Sequence, residues 1–154
     1  MKSIRFAKFS ILIFICLTAC GCSFSFNQKK PYIFYYTNEL SKNFHTEKQI
    51  KASLIDTSYY KNHNLSSDEI NDFYNFLSAL RKHNYIKRPK DLPNKPLYRL
   101  FFTFSKNKYV LDVYNEKYAS IYPWDGSYEK DFLNISDIPA SINPYSLCKY
   151  AIPR

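Results

Sequence analysis

The stretch LYRLFFTFSKNKYVLDVYNEKYASIY, residues 97–122, decides the fold. Tyr98, Leu100, Phe102 and Phe104 alternate with Arg99, Phe101 and Thr103, which is the period of a strand with one buried face. Ser105-Lys106-Asn107-Lys108 is polar and suits a hairpin turn. Residues 109–114 then read as the next strand, with Tyr109, Leu111 and Val113 toward the core, and Asn115-Glu116-Lys117 turns into a third strand over 118–122. Strands joined this tightly are antiparallel neighbours, because a parallel pair needs a long crossover. A slip of one residue would expose the Leu/Phe face, so the alternation also sets the register.

Upstream, Ser66-Ser67-Asp68-Glu69 matches a capping box. Ile70, Phe73, Tyr74, Leu77 and Leu80 follow at helical spacing. Asp68, Glu69 and Asp72 lie toward the positive end of the helix dipole, and Arg81, Lys82 and His83 toward the negative end. These residues predict an amphipathic helix over about 67–83, its aromatic stripe packed on the sheet. Tyr32-Ile33-Phe34-Tyr35-Tyr36 has high strand propensity and is expected to be the first strand. A partial alternation of Ile50, Ala52, Leu54 and Ile55 within 48–60 predicts the second, with a loop at 62–65. Pro89, Pro93 and Pro96 mark an extended connection into the meander. Beyond it, 131–138 reads as irregular and 145–150 as a short helix. The expected fold is α+β: an antiparallel sheet of four to five strands, packed by one main amphipathic helix, in a single domain over 32–154.

At the N-terminus, Lys2, Arg5 and Lys8 precede an uncharged run from Phe9 to Ala19. A basic start, a short apolar run and small residues make a secretory signal peptide. Eleven residues fall short of the roughly 20 that span a bilayer. Leu17-Thr18-Ala19-Cys20 resembles the lipobox of bacterial lipoproteins. That resemblance implies a signal peptide over 1–19 and a diacylglycerol-modified Cys20 at the mature N-terminus, tethered through 20–31. Cys22 is an alternative acceptor on the poorer match Ala19-Cys20-Gly21-Cys22. One intervening residue fits redox Cys-x-x-Cys chemistry poorly, and no neighbouring Cys or His completes a zinc set. The resemblance implies a domain held on the extracytoplasmic face of the cell membrane, partnered by that membrane and by another envelope protein or a wall polymer.

Removing 19 of 154 residues leaves 135, enough for one core. The formal charge of +9 falls by the three of Lys2, Arg5 and Lys8 to +6. Outside the membrane the available polyanions are lipid headgroups and wall polymers rather than nucleic acid, and lysines that merely solvate the surface account for the charge equally well. Lys, Asn, Ile, Tyr and Phe are plentiful while glycine occurs only twice, which points to AT-rich coding and an AT-rich Gram-positive source. Lipobox, Tyr/Asn/Lys-rich domain, Pro123-Trp124-Asp125-Gly126 and the Leu147-Cys148 tail together resemble small uncharacterised lipoproteins of Gram-positive anaerobes. That resemblance brings no activity with it.

A catalytic or cofactor site is not expected. Gly126 is the sole glycine after the tether, which rules out glycine-rich phosphate loops. No pair among His45, His63 and His83 has the i, i+4 spacing of a metal face. His83 reads as a complement to the helix dipole, and His45 and His63 as surface residues. Cys148 with a histidine and a carboxylate lacks any oxyanion turn. A Cys22–Cys148 disulfide is permitted in an exported protein; the plain alternative is a small buried thiol at Cys148. The stretch 123–132, PWDGSYEKDF, carries the lone tryptophan. Trp124 with Tyr122, Tyr128, Asp125 and Asp131 could form a sugar or peptide platform, or Trp124 could cap the core above an Asp-Gly turn. The carboxylates lack the regular spacing of a calcium loop. The function expected is a non-enzymatic binding module at the cell surface, with an inhibitor or immunity lipoprotein, or a small wall hydrolase, as alternatives.

Overall fold

A computed structural model describes residues 29–153. The signal peptide, Cys20 and Cys22 lie outside the described residues. The three strands of the meander are β4 (Tyr98–Thr103), β5 (Lys108–Val113) and β6 (Tyr118–Pro123), antiparallel as expected. They sit at the middle of a larger sheet. Seven antiparallel strands run in the order β2-β1-β4-β5-β6-β7-β3, where β1 is Lys51–Asp56, β2 Asn62–Asn64, β3 Tyr85–Ile86 and β7 Asp131–Asn134. The expectation of four to five strands is therefore too small. The three additions have two to four residues each, too short to show a period in sequence, and pairing with a neighbour makes each a strand.

Residues 32–36 are not a strand. Helix α1 spans Tyr35–Thr46, and Tyr36, Thr37, Leu40 and Phe44 form its inward stripe at helical spacing. Aromatic strand propensity at its start is overridden by tertiary contacts. The Asp131 carboxylate, from β7, accepts hydrogen bonds from the Thr37 amide at 2.7 Å and the Thr37 hydroxyl at 2.8 Å. The helix is thus capped from 94 residues away, and no local sequence signal announces it. Helix α2 begins where the sequence predicts, with the Ser66–Glu69 capping box formed in both directions. It spans Ser67–Ala79 rather than reaching residue 83; a 3-10 turn over Lys82–Asn84 follows. His83 consequently does not complement the helix end, and its Nε2 meets Asp137 Oδ2 at 2.7 Å. Helix α3, Pro144–Ala151, has Asn143 as its cap and proline in its first turn.

All three helices pack on one face of the sheet. Leu54, Leu100, Leu111 and Ile121 stand side by side across four strands on that face, each at 0–1% exposure. Against them lie Leu40, Phe73, Phe76, Leu77 and Cys148 from the helices. Each wholly buried leucine or isoleucine contributes about 2 kcal/mol of transfer free energy. Gly126 sits in the turn after β6; a Cβ there would come within 2.8 Å of both Pro123 Cγ and the Tyr36 hydroxyl.

Candidate functional surface

Strand alternation sends the intervening residues to the other face of the sheet. Cross-strand register aligns Ile55, Arg99, Asp112, Ser120 and Phe132 in one row and Ser53, Phe101, Val110 and Tyr122 in the next. Among the described residues no helix covers these rows. The connection 87–97 covers one flank: the Tyr118 hydroxyl donates to Asp91, while Leu92 and Pro93 border Tyr114 and Phe132.

Asp112 sits at the centre, its side chain fully buried between two cations. Arg99 holds it by a forked contact, Nε to Oδ1 at 2.6 Å and Nη2 to Oδ2 at 3.2 Å. Lys130 Nζ and the Tyr122 hydroxyl both donate to Oδ2 at 3.0 Å. The pKa of Arg99 is raised by its hydrogen bond to Asp112. Burial alone would lower that of Lys130, but the charge and hydrogen bond of Asp112 outweigh it and the net shift is upward. A buried carboxylate needs such partners to remain charged. Two cations to one anion leave the cluster positive, and the Arg99 and Lys130 side chains keep a third of their surface exposed.

Aromatic rings surround these charges. Lys130 lies 3.8 Å from the centre of the Tyr122 ring. Trp124 packs at 5.7 Å on Phe101, and Lys108 stands over both rings, 5.0 Å from Trp124 and 4.7 Å from Phe101. Trp124 remains 61% exposed, so it does not close the core. Shallow cavities flank the cluster. One of about 310 Å³ is bounded by Ile55, Tyr60, Lys95, Pro96, Arg99 and Phe101. The other, about 290 Å³, is bounded by Arg88, Tyr114, Lys130 and Phe132 among others.

The five residues predicted as a platform do not gather in one place. Tyr122 and Trp124 share the open face. Asp125 is exposed in the turn. Tyr128 instead packs edge-on against Tyr35 at 5.5 Å, and its amide donates to the Tyr36 hydroxyl at 2.7 Å. Asp131 lies wholly buried on the helix side, capping α1 and ion-paired to Lys30. Arg99, Lys108, Asp112 and Lys130 were not anticipated. The usable signal was Asp112 itself: an aspartate inside the apolar run Tyr109-Val110-Leu111-Asp112-Val113 must be paired if that strand is central.

The histidines take separate partners. His45 meets the Tyr74 hydroxyl at 2.9 Å, His63 meets Glu69 at 2.9 Å, and His83 meets Asp137. Among the described residues no three His, Cys, Asp or Glu side chains converge as metal ligands. The Cys148 thiol is fully buried, and burial pushes its pKa well up.

Residues 30–148 match a protein family described as "Domain of unknown function (DUF4883)". The chain belongs to this family. Its fold is similar to a crystal structure from the Gram-positive anaerobe Clostridium perfringens, described as a "Putative Lipoprotein". The TM-score is 0.72 at 32% sequence identity, covering 82% of this chain and 100% of that one. No curated protein matches significantly. Among the described residues of this DUF4883 chain, no helix is long and apolar enough to cross a membrane.

Proposed function

We propose that this protein is an extracytoplasmic lipoprotein, anchored through Cys20, whose open sheet face is a non-enzymatic binding surface for an anionic wall polymer. The observation that carries the binding surface is the positive Arg99–Asp112–Lys130 cluster, framed by Tyr122, Phe101 and the exposed Trp124 on the face the helices leave free. Cations spaced along aromatic rings offer a polyanion both charge and flat apolar contact. The lipobox and the likeness to the clostridial structure support the anchor.

Each half has its own test. Cys20→Ala in the native host should abolish incorporation of labelled palmitate and release the protein from the membrane fraction; retention of both would remove the anchor. Trp124 is the lone tryptophan, so its fluorescence reports on the open face directly. Titration with a glycerol-phosphate polymer should change that emission, whereas a neutral glycan should not. Arg99→Ala/Lys130→Ala should weaken the response by about tenfold or more, as expected for two lost charge-assisted contacts. Equal responses to both polymers, or none to either, would eliminate the assigned ligand class.

A further inference from the structure

We infer that the end of the domain next to the tether docks on an anionic lipid surface, with Lys29, Lys87 and Arg88 toward the headgroups and Tyr32, Ile33 and Phe34 at the interface. This inference rests on the Cys20 anchor proposed above; its groove adjoins the open sheet face, sharing Arg88 and Lys130 with the cavity beside the Asp112 cluster. Three consecutive apolar side chains are exposed here: Tyr32 at 37%, Ile33 at 41% and Phe34 at 38%. They are held in place rather than trailing. The Tyr32 ring lies 4.6 Å from Phe34, Phe34 lies 5.4 Å from Tyr85 on the edge strand β3, and the Asn38 side chain donates to the Tyr32 hydroxyl at 3.0 Å.

Beside them a groove of about 450 Å³ is lined by Lys29, Tyr32, Ile33, Ile86, Lys87 and Arg88. Glu129 is the carboxylate on this groove, and Lys130, also on it, is committed to Asp112. Lys30 is spoken for as well, by Asp131 and the Glu129 carbonyl. Lys29, Lys87 and Arg88 are exposed and outnumber the one carboxylate. An aromatic and aliphatic patch ringed by cations matches the interfacial layer of an anionic bilayer, where rings sit at headgroup depth and basic side chains meet phosphate.

Chain length brings the two surfaces together. Lys29 follows Cys20 by nine residues, so its distance from the anchor is at most about 32 Å. A short tether holds the patch at an effective concentration in the millimolar range, so weak docking suffices to orient the domain. Docking in this orientation would fix the distance and attitude of the open sheet face relative to the membrane.

The test uses the lipidated full-length mature protein in vesicles. Ile33→Trp in a Trp124→Phe background places the single indole in the patch, and brominated lipids report its contact with the bilayer. The protein should float with vesicles of pure phosphatidylcholine and with vesicles containing one-third phosphatidylglycerol. Its emission should be quenched strongly in the second alone, and this quenching should fade at high salt. Lys29→Glu/Lys87→Glu/Arg88→Glu, all at exposed positions, should still float but lose the anionic-lipid quenching, with docking weakened by more than about a hundredfold, since three lost cations count roughly fivefold each and the new carboxylates are repelled besides. Equal quenching in the two vesicle types, quenching that survives the triple variant, or none in either, as when the patch pairs with a second copy, would overturn the docking surface while leaving the anchor intact. Failure to float with phosphatidylcholine would remove the anchor, and the docking reading with it.

Discussion

Across strands β1, β4, β5 and β6 the row facing the helices is Leu54, Leu100, Leu111 and Ile121, while one residue along, on the opposite face, the row is Ser53, Phe101, Val110 and Tyr122. The next row on that opposite face carries Arg99 and Asp112. The backbone ladder is common to both faces, so their difference lies wholly in side chains. One face spends its area on apolar contact with three helices. The other keeps a charged cluster half-dry, a costly arrangement for stability alone. A sheet that needed only to fold would gain by replacing Asp112, Arg99 and Lys130 with apolar residues of similar volume. Their presence fits the binding surface proposed above for this face.

The sharpest way to break this comparison is to truncate neighbours on opposite faces. Leu100→Ala should cost about 3 kcal/mol, since the leucine is wholly enclosed and its site cannot collapse freely. Phe101→Ala, one residue away and half-buried, should cost about 1 kcal/mol despite removing more atoms. Urea midpoints read both values. Equal losses would mean that the open face is a second core.

Within the open face, the anion should matter more than either cation. Asp112→Ala strands Arg99 and Lys130 together beside the unpaired Tyr122 hydroxyl; the expected loss is about 2 kcal/mol, discounted because both cations reach water. Arg99→Ala leaves Asp112 still held by Lys130 and Tyr122, so about 1 kcal/mol is expected. The double variant should lose less than the two single losses combined, because removing the arginine relieves one stranded charge. Strict additivity in denaturation would mean that the cluster does not act as a unit.

Most of the central sheet was readable because its signals are local. Alternation from Tyr98 to Tyr122, polar turns between the strands and the Ser66–Glu69 box each act within a few residues, and each sits where expected. What escaped depends on contacts distant in sequence. Helix α1 is capped by Asp131, and the edge strand β3 exists because Tyr85 and Ile86 pair with Leu133 and Phe132. The candidate site divides in the same way. Trp124 was conspicuous as a lone ring, and it does lie on the open face. Asp131 looked like its companion by proximity in sequence, yet β7 turns it to the helix side. Arg99 and Asp112 are thirteen residues apart and become neighbours only through the β4–β5 register.

The smallest expected effect separates the two faces by pH. Tyr85 and Tyr109, on the helix side, are pushed up to about 12, chiefly by burial. On the open face Tyr122 is also raised, by burial first and then by the charge of Asp112, and Lys130 is raised because Asp112 outweighs its burial. A group whose folded pKa lies above its unfolded value contributes stability that is complete below the unfolded pKa and is lost as pH rises through the folded one. Stability should therefore hold steady through neutral pH, begin to decline above about pH 8.5, where a free thiol such as that of unfolded Cys148 titrates, and decline further above about pH 10, where free tyrosine and lysine do. Glu69 and Asp137 are shifted the opposite way. Burial raises Glu69 but is outweighed by hydrogen bonds from the Ser66 amide and His63, and the His83 contact lowers Asp137. Their contribution is present above about pH 4.5 and fades on acidification. Asp112→Ala should trim the alkaline decline by less than about 1 kcal/mol, because the groups it influences are part-exposed. An alkaline limb identical in the variant and the parent would assign that titration to groups away from Asp112, such as Tyr36, Tyr85, Tyr109 and Cys148, and the open face would then owe none of its alkaline pH response to its buried aspartate.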